Sequence, residues 1–188
     1  MMGWDGRKVF AKTLVKPSTY ATIFRSSSNS SKNMRPAEFD TIDRKILAEL
    51  QADGRMTNAL LAQRVNLSPS ACLRRVQQLE QAGVIAGYVA LVRQEAIGRP
   101  TSIFVEVTLT SQNEDLLQKF ESAVHACPDI MECYLMSGDS DYLIRVVAAD
   151  TQDYERIHKL HLTRLPGVAR IRSSFALRAV CKKTALDI

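Results

Sequence analysis

The stretch from Thr57 to Gly83, TNALLAQRVNLSPSACLRRVQQLEQAG, constrains this chain more than any other. It reads as two helices joined by a tight turn. Ser68 is placed to accept the first free amides of the second helix, and Pro69 has no amide to lose at the first helical position. From there Cys72, Leu73, Val76 and Leu79 form an apolar stripe at three- and four-residue spacing, which predicts the inward face. Ala71, Arg74, Arg75 and Gln78 fall opposite, with Ser70 near the tip. Such a face is small and polar at its tip and cationic in its middle. A helix enters the major groove only if its tip is slim and its flanks neutralise phosphates, and this one meets both conditions.

The preceding helix has Thr57 as N-cap, an apolar face of Leu60, Leu61 and Val65, and Asn66 to end it in the left-handed conformation. Leu67 is expected in the corner between the two helices. The same residues also suit an ordinary helical hairpin with Arg74 and Arg75 on a solvated face, because a helix-turn-helix carries no invariant residue.

A formal charge of +5 resembles a nucleic-acid signal, but its location does not. Residues 1–39 hold 7 Lys/Arg against 2 acids, 40–93 hold 7 against 5, and 94–188 hold 11 against 13. The whole surplus sits at the N-terminal end, so only the local pattern argues for DNA. The 46% hydrophobic and 24% charged content is that of a globular protein, and no run approaches the roughly 20 apolar residues of a membrane span. Four cysteines, Cys72, Cys127, Cys133 and Cys181, make no CxxC pair, so free thiols in a reduced cytosol are expected and no metal site is predicted.

Residues 1–36, with SSSNSSKN at Ser26 to Asn33, show no sustained period and read as a disordered basic tail. An organelle transit peptide and a native start at Met34 are equally compatible. A helix-turn-helix domain is expected over 37–93. Asp40 begins a first helix whose Ile42, Ile46, Leu47 and Leu50 face inward, and Gly54 is placed to end it. Val84 to Leu91 has β character and predicts a short strand or arm, and 94–100 reads as a linker.

From 101 to 188 the order of elements is βαββαβ: a strand at Thr101 to Leu109, a helix at Asn113 to Cys127, strands at Ile130 to Met136 and Tyr142 to Ala148, a helix at Thr151 to Leu165 and a strand at Val168 to Val180. In that second helix Tyr154, Ile157, Leu160 and Leu165 are expected to face inward. This is the pattern of a split βαβ, ferredoxin-like fold with two helices on one face of an antiparallel sheet, so the whole chain is α+β. The other face must be solvated or covered by a partner, and Phe104 on it favours burial in a dimer.

In the turn MSGDSDY, Gly138 would let a ligand approach the backbone, and Asp139 and Asp141 could pair with an ammonium group. Glycine, aspartate and serine are also standard hairpin-turn residues, and both readings stand from spacing alone. His158 and His161 lie three apart on one helix without a third ligand, and the reading gives them no metal.

Taken together, IDRKILAELQADGR (Ile42 to Arg55), LAQRVNLSPSACLRRVQQLEQAGVIAGY (Leu61 to Tyr88), FVEVTL (Phe104 to Leu109), ECYLMSGDSDYLIRV (Glu132 to Val146) and LPGV (Leu165 to Val168) resemble the Lrp/AsnC, or feast-famine, family of transcriptional regulators. The resemblance implies an N-terminal winged helix-turn-helix and a C-terminal RAM/ACT-like domain that senses an amino acid, without a further cofactor. It implies homodimers formed through the sheet faces, often assembled into tetramers or octamers, and a cytoplasmic, nucleoid-associated protein on promoter DNA. The recognition helix carries over onto Ser68 to Leu79, with Ser68, Ser70, Ala71, Arg74, Arg75 and Gln78 toward DNA and Thr57 and Asn58 near phosphates. The effector loop carries over onto Met136, Gly138, Asp139, Ser140, Asp141 and Tyr142. Two rival readings keep the fold and drop the DNA: a small dimeric enzyme, and an effector-binding regulatory subunit.

Overall fold

The computed structural model describes residues 39–188. The tail expected over 1–36 lies outside the described residues. The chain divides into two compact units, one reaching to Tyr88 and including Thr184–Ile188, the other Val89–Lys183.

In the first unit three helices follow in order: α1 (Thr41–Ala52), α2 (Asn58–Arg64) and α3 (Pro69–Gln81). Each N-terminus is closed by its own cap. Asp40 Oδ1 accepts the amides of Ile42 and Asp43 at 2.9 and 2.8 Å, Thr57 Oγ1 that of Leu60 at 3.3 Å, and Ser68 Oγ that of Ala71 at 3.3 Å. Asn66 takes φ 57° and turns the chain from α2 into α3. Ile46, Leu47, Leu61, Ala62, Val65, Cys72 and Leu79 form the core, with Val76 and Leu67 packed against it. One expectation fails here: Leu60 and Leu73 point outward, 40% and 46% exposed. The helix α1 stops at Ala52 with Asp53 as its C-cap, and Gly54 follows directly.

Val84 to Leu91 forms no strand. The Val84 and Ile85 amides go to the Leu79 carbonyl at the end of α3, and among the described residues no strand pairs with the rest of the segment. Tyr88 lies beside Gly54 and donates its hydroxyl to Glu80 Oε1 at 3.1 Å. At the other end of the chain the Gln51 side chain holds Leu186 by both backbone groups, at 3.0 and 2.7 Å. The expected domain of 101–188 therefore gives up its last residues to the first unit.

In the second unit the expected linker contains a single 3-10 turn, Glu95–Ile97. Then come β1 (Thr101–Leu109), α4 (Glu114–Ala126), β2 (Ile130–Leu135), β3 (Tyr142–Ala148), α5 (Thr151–Leu160), a 3-10 turn at Leu162–Arg164, and β4 (Val168–Phe175). The sheet is antiparallel in the order β2-β3-β1-β4. Ile103, Val105, Val107 and Leu109 alternate into the core with Ile144 and Val146, under Phe120 and Val124 of α4 and Tyr154 and Ile157 of α5.

Three boundaries and one facing differ from expectation. β4 stops at Phe175, which pairs with Ile103 near the start of β1, so Ala176 to Val180 has almost no ladder left to join. The helix begun at Thr151 gives way after Leu160, and β2 ends at Leu135 rather than Met136. Leu160, expected inside, is 45% exposed.

Candidate DNA-binding and effector sites

The outward stripe of α3 runs Ser70, Leu73, Arg74, Gln77, Gln78 and Gln81, all exposed. It is turned by about one residue, roughly 100° of helix, from the face that apolar spacing predicts. Arg75 shows why. Its Nη1 lies 2.8 Å from both Asp40 Oδ2 and Asp43 Oδ1, and its side chain is 25% exposed. The guanidinium ties α3 to the first turn of α1. The Asp43 amide first, and Arg75 with it, hold the Asp40 carboxyl below its ordinary range.

Of the other predicted contacts, Ser68 and Ser70 are exposed at the helix tip with their hydroxyls 3.2 Å apart. Arg74 makes no ion pair among the described residues and, with Gln78, stands in solvent. Ala71 is half-buried and presents little. Asn58, expected near phosphate, instead donates Nδ2 to the Pro69 carbonyl at 2.8 Å and fixes α2 against α3. The Thr57 hydroxyl is exposed and accepts the Leu60 amide as a cap, which leaves its O–H to donate. Gln77 was missed; it lies three residues after Arg74, and only the rotation of the helix brings it forward.

The open face of the second unit's sheet carries the other site. A cavity of about 310 Å³ is lined by Glu106 and Thr108 of β1, Met136 to Ser140, and Arg170 and Arg172 of β4. Cross-strand register places Glu106 opposite Arg172 and Thr108 opposite Arg170. The register shifts at Thr108/Leu109, where β4 carries an extra residue. That bulge lets Val168 stay with the core while Arg170 and Arg172 both face the cavity. Arg172 Nη1 lies 3.5 Å from Glu106 Oε2, both well exposed, a loose pair that a ligand can displace. The cavity thus offers two guanidinium groups and two carboxylates, Glu106 and Asp139, across a short span. Alternation along β4 was legible in sequence, but the pairing of Arg170 and Arg172 with β1 needs the register.

Met136, Gly138, Asp139 and Ser140 line this cavity as expected. Asp141 and Tyr142 do not. Asp141 is 7% exposed, and its carboxylate accepts the Leu109 amide at 2.7 Å on one oxygen and Gln112 Nε2 on the other. It staples the turn to the end of β1, and its burial sets it back from the cavity lining. Tyr142 is 1% exposed and stacks on Phe120 with centroids 4.4 Å apart, its hydroxyl donating to Glu121 Oε1 at 2.9 Å. Burial, aided by Glu121, pushes the Tyr142 phenol up, so it stays a donor. The two roles look alike in sequence because the staple, Asp141, directly follows the five cavity-lining residues Met136 to Ser140.

No helix among the described residues is long and apolar enough to cross a membrane. Residues 39–86 match the model of the winged helix-turn-helix DNA-binding family, and residues 102–186 that of the Lrp/AsnC ligand binding domain. The chain is 44% identical to the Bkd operon transcriptional regulator of Pseudomonas aeruginosa, over 79% of this chain and 97% of that one. It is 40% identical to the leucine-responsive regulatory protein of Escherichia coli, over 84% of this chain and 96% of the relative. Among solved structures it resembles a transcriptional regulator of Neisseria meningitidis in complex with L-methionine, with a TM-score of 0.75, 35% identity, and coverage of 79% of this chain and 96% of that one. Cap, core and cleft therefore agree with sequence similarity along nearly the full length of these relatives, and the chain belongs to the Lrp/AsnC family of DNA-binding transcriptional regulators.

Proposed function

We propose that this regulator reads DNA with Ser70, Arg74, Gln77 and Gln78 of α3 and sets its occupancy by binding an amino acid in the cleft between β1, β4 and the turn at Met136 to Ser140. The charge layout of the cleft carries the reading. Arg170 and Arg172 suit an α-carboxylate, and Glu106 and Asp139 suit an α-ammonium, so a zwitterion satisfies both pairs at once. The methionine-bound relative supports an amino-acid ligand of this kind. The two turn acids then serve structure and ligand binding rather than catalysis, and the protein works in the cytoplasm where its DNA is.

The open sheet face also supports a homodimer, and higher assemblies built from it. Phe104 is 39% exposed and Tyr134 52% exposed in the single chain, and a second copy would cover both. A dimer presents two recognition helices to half-sites about one helical turn, roughly 34 Å, apart. Coupling between an amino acid in the cleft and DNA is expected at about 1–3 kcal/mol, enough to switch occupancy near its midpoint. Calorimetric titration of the twenty amino acids, paired with promoter binding, tests this. One or a few should bind wild type and shift its DNA affinity, and Arg172→Ala should lose both responses while keeping basal DNA binding. Amino-acid responses unchanged in Arg172→Ala would remove the cleft from the mechanism.

A further inference from the structure

At the opposite end of the sheet from the effector cleft, the second unit gathers three metal-ligating groups that the sequence keeps apart. Cys127 closes the C-terminus of α4, Asp129 follows it two residues later just before β2, and His161 closes the C-terminus of α5. One ligand atom from each lies within 4.8 Å of the other two. Cys127 is 7% and Asp129 3% exposed, and His161 is half-buried. The histidine pair considered from sequence is not the set the fold assembles, since His158 turns toward Tyr154 instead.

We propose that Cys127 Sγ, Asp129 Oδ2 and His161 Nε2 bind a zinc ion. A thiolate, an imidazole and a carboxylate are the donor types zinc takes, and ligand atoms of a tetrahedral site lie roughly 3.3–3.8 Å apart for bonds of about 2.0–2.3 Å. His161 Nε2 is already 4.0 Å from Asp129 Oδ2, so closure needs only small inward side-chain movements. The Asp129 carboxylate is divided for the task. Oδ1 is held by Arg99 Nη1 at 2.7 Å, the kind of outer contact that orients a ligating carboxylate, while Oδ2 faces the histidine. Arg156 Nη2 stands 3.7 Å from Oδ2 but is anchored by Asp153 at 2.7 Å and is 46% exposed, so it yields that oxygen without losing its partner.

A cavity of about 220 Å³ runs alongside, lined by Cys127 and His161 with Ala123, Ala126, Leu160 and Arg164 among its walls. It gives the ion a route in and leaves the fourth position to water. On binding, the Cys127 thiol releases its proton to solvent, and thiolate and carboxylate together balance the dication. The ion would tie the ends of both helices to the start of β2. It acts as a structural clamp, at a site that the regulator reading does not require.

The test is titration of the reduced, full-length protein with cobalt(II) as a spectroscopic stand-in, followed by zinc. One equivalent should raise the near-ultraviolet absorption of a cobalt–thiolate bond, and zinc should abolish it. Cys127→Ser and His161→Ala should lose the band, and the exposed-thiol control Cys181→Ser should keep it. Because a variant can fail through misfolding, the wild type is also probed by alkylation and peptide mass spectrometry. Stoichiometric zinc should slow modification of Cys127 by about tenfold or more and leave Cys181 unchanged. Absence of the thiolate band in wild type, its survival in Cys127→Ser, or equal alkylation of Cys127 with and without zinc would each overturn the proposal.

Discussion

Arg74 and Arg75 are neighbours of the same type with opposite assignments, and they separate binding from stability. Arg74 stands in solvent on the outward stripe, whereas Arg75 bridges Asp40 and Asp43. Arg74→Ala should leave the unfolding midpoint in place, weaken DNA binding, and reduce the salt slope by about 1 if its contact is to phosphate. Arg75→Ala should lower the unfolding midpoint, and the DNA affinity of its folded fraction should change little. Thermal melts and salt-dependent DNA titrations of the two variants decide it; equal behaviour would refute the assignment. The same ion-pair group has a pH signature. Because the folded Asp40 carboxyl ionises below its ordinary range, its stabilisation is complete above about pH 4 and is lost as pH falls through the depressed value. Asp40→Asn should therefore melt below wild type at neutral pH, with the gap closing in acid. A gap that stayed constant down to about pH 2.5 would contradict this linkage.

Gly167, between α5 and β4, illustrates what a short segment must satisfy. Its φ is 71°, its carbonyl accepts the Thr110 amide at 2.8 Å, and an added Cβ would stand 2.6 Å from Leu116 Cδ1. Gly167→Ala combines a left-handed backbone penalty with a clash that Leu116 relieves only in part, so a loss of about 1–3 kcal/mol is expected in chemical denaturation. A loss below a few tenths would mean that the turn relaxes freely. Much of this architecture was legible beforehand, because alternation along β1 and the caps at Asp40, Thr57 and Ser68 are local signals. The failures share a different origin. The face of α3 depends on where Asp40 and Asp43 come to lie, the cavity depends on a bulge in β4, and Val84 to Leu91 lacks a partner strand. Each is set by a neighbour distant in sequence. Asp141 is the sharpest case, since a turn acid suited to an ammonium group proved to be a buried staple for Leu109 and Gln112.

For the protein as a whole, a DNA-binding helix-turn-helix module is followed by a ligand-binding sheet domain, which we propose pairs two chains and holds an amino acid in its cleft. Family membership establishes the regulator; which residues touch DNA and whether two copies act together are the parts open to experiment. Both meet in a single assay. Genomic fragments selected by the purified full chain should yield a two-fold symmetric motif with half-sites about one helical turn apart. Binding of Arg74→Ala plus Gln78→Ala, a variant expected to fold normally, should then be measured on that motif and on a scrambled duplex. The account predicts a dimer that prefers the motif by at least about a thousandfold at physiological salt, with most of that preference gone in the double variant. A monomer that binds motif and scrambled DNA alike, or a double variant with undiminished preference, would contradict it.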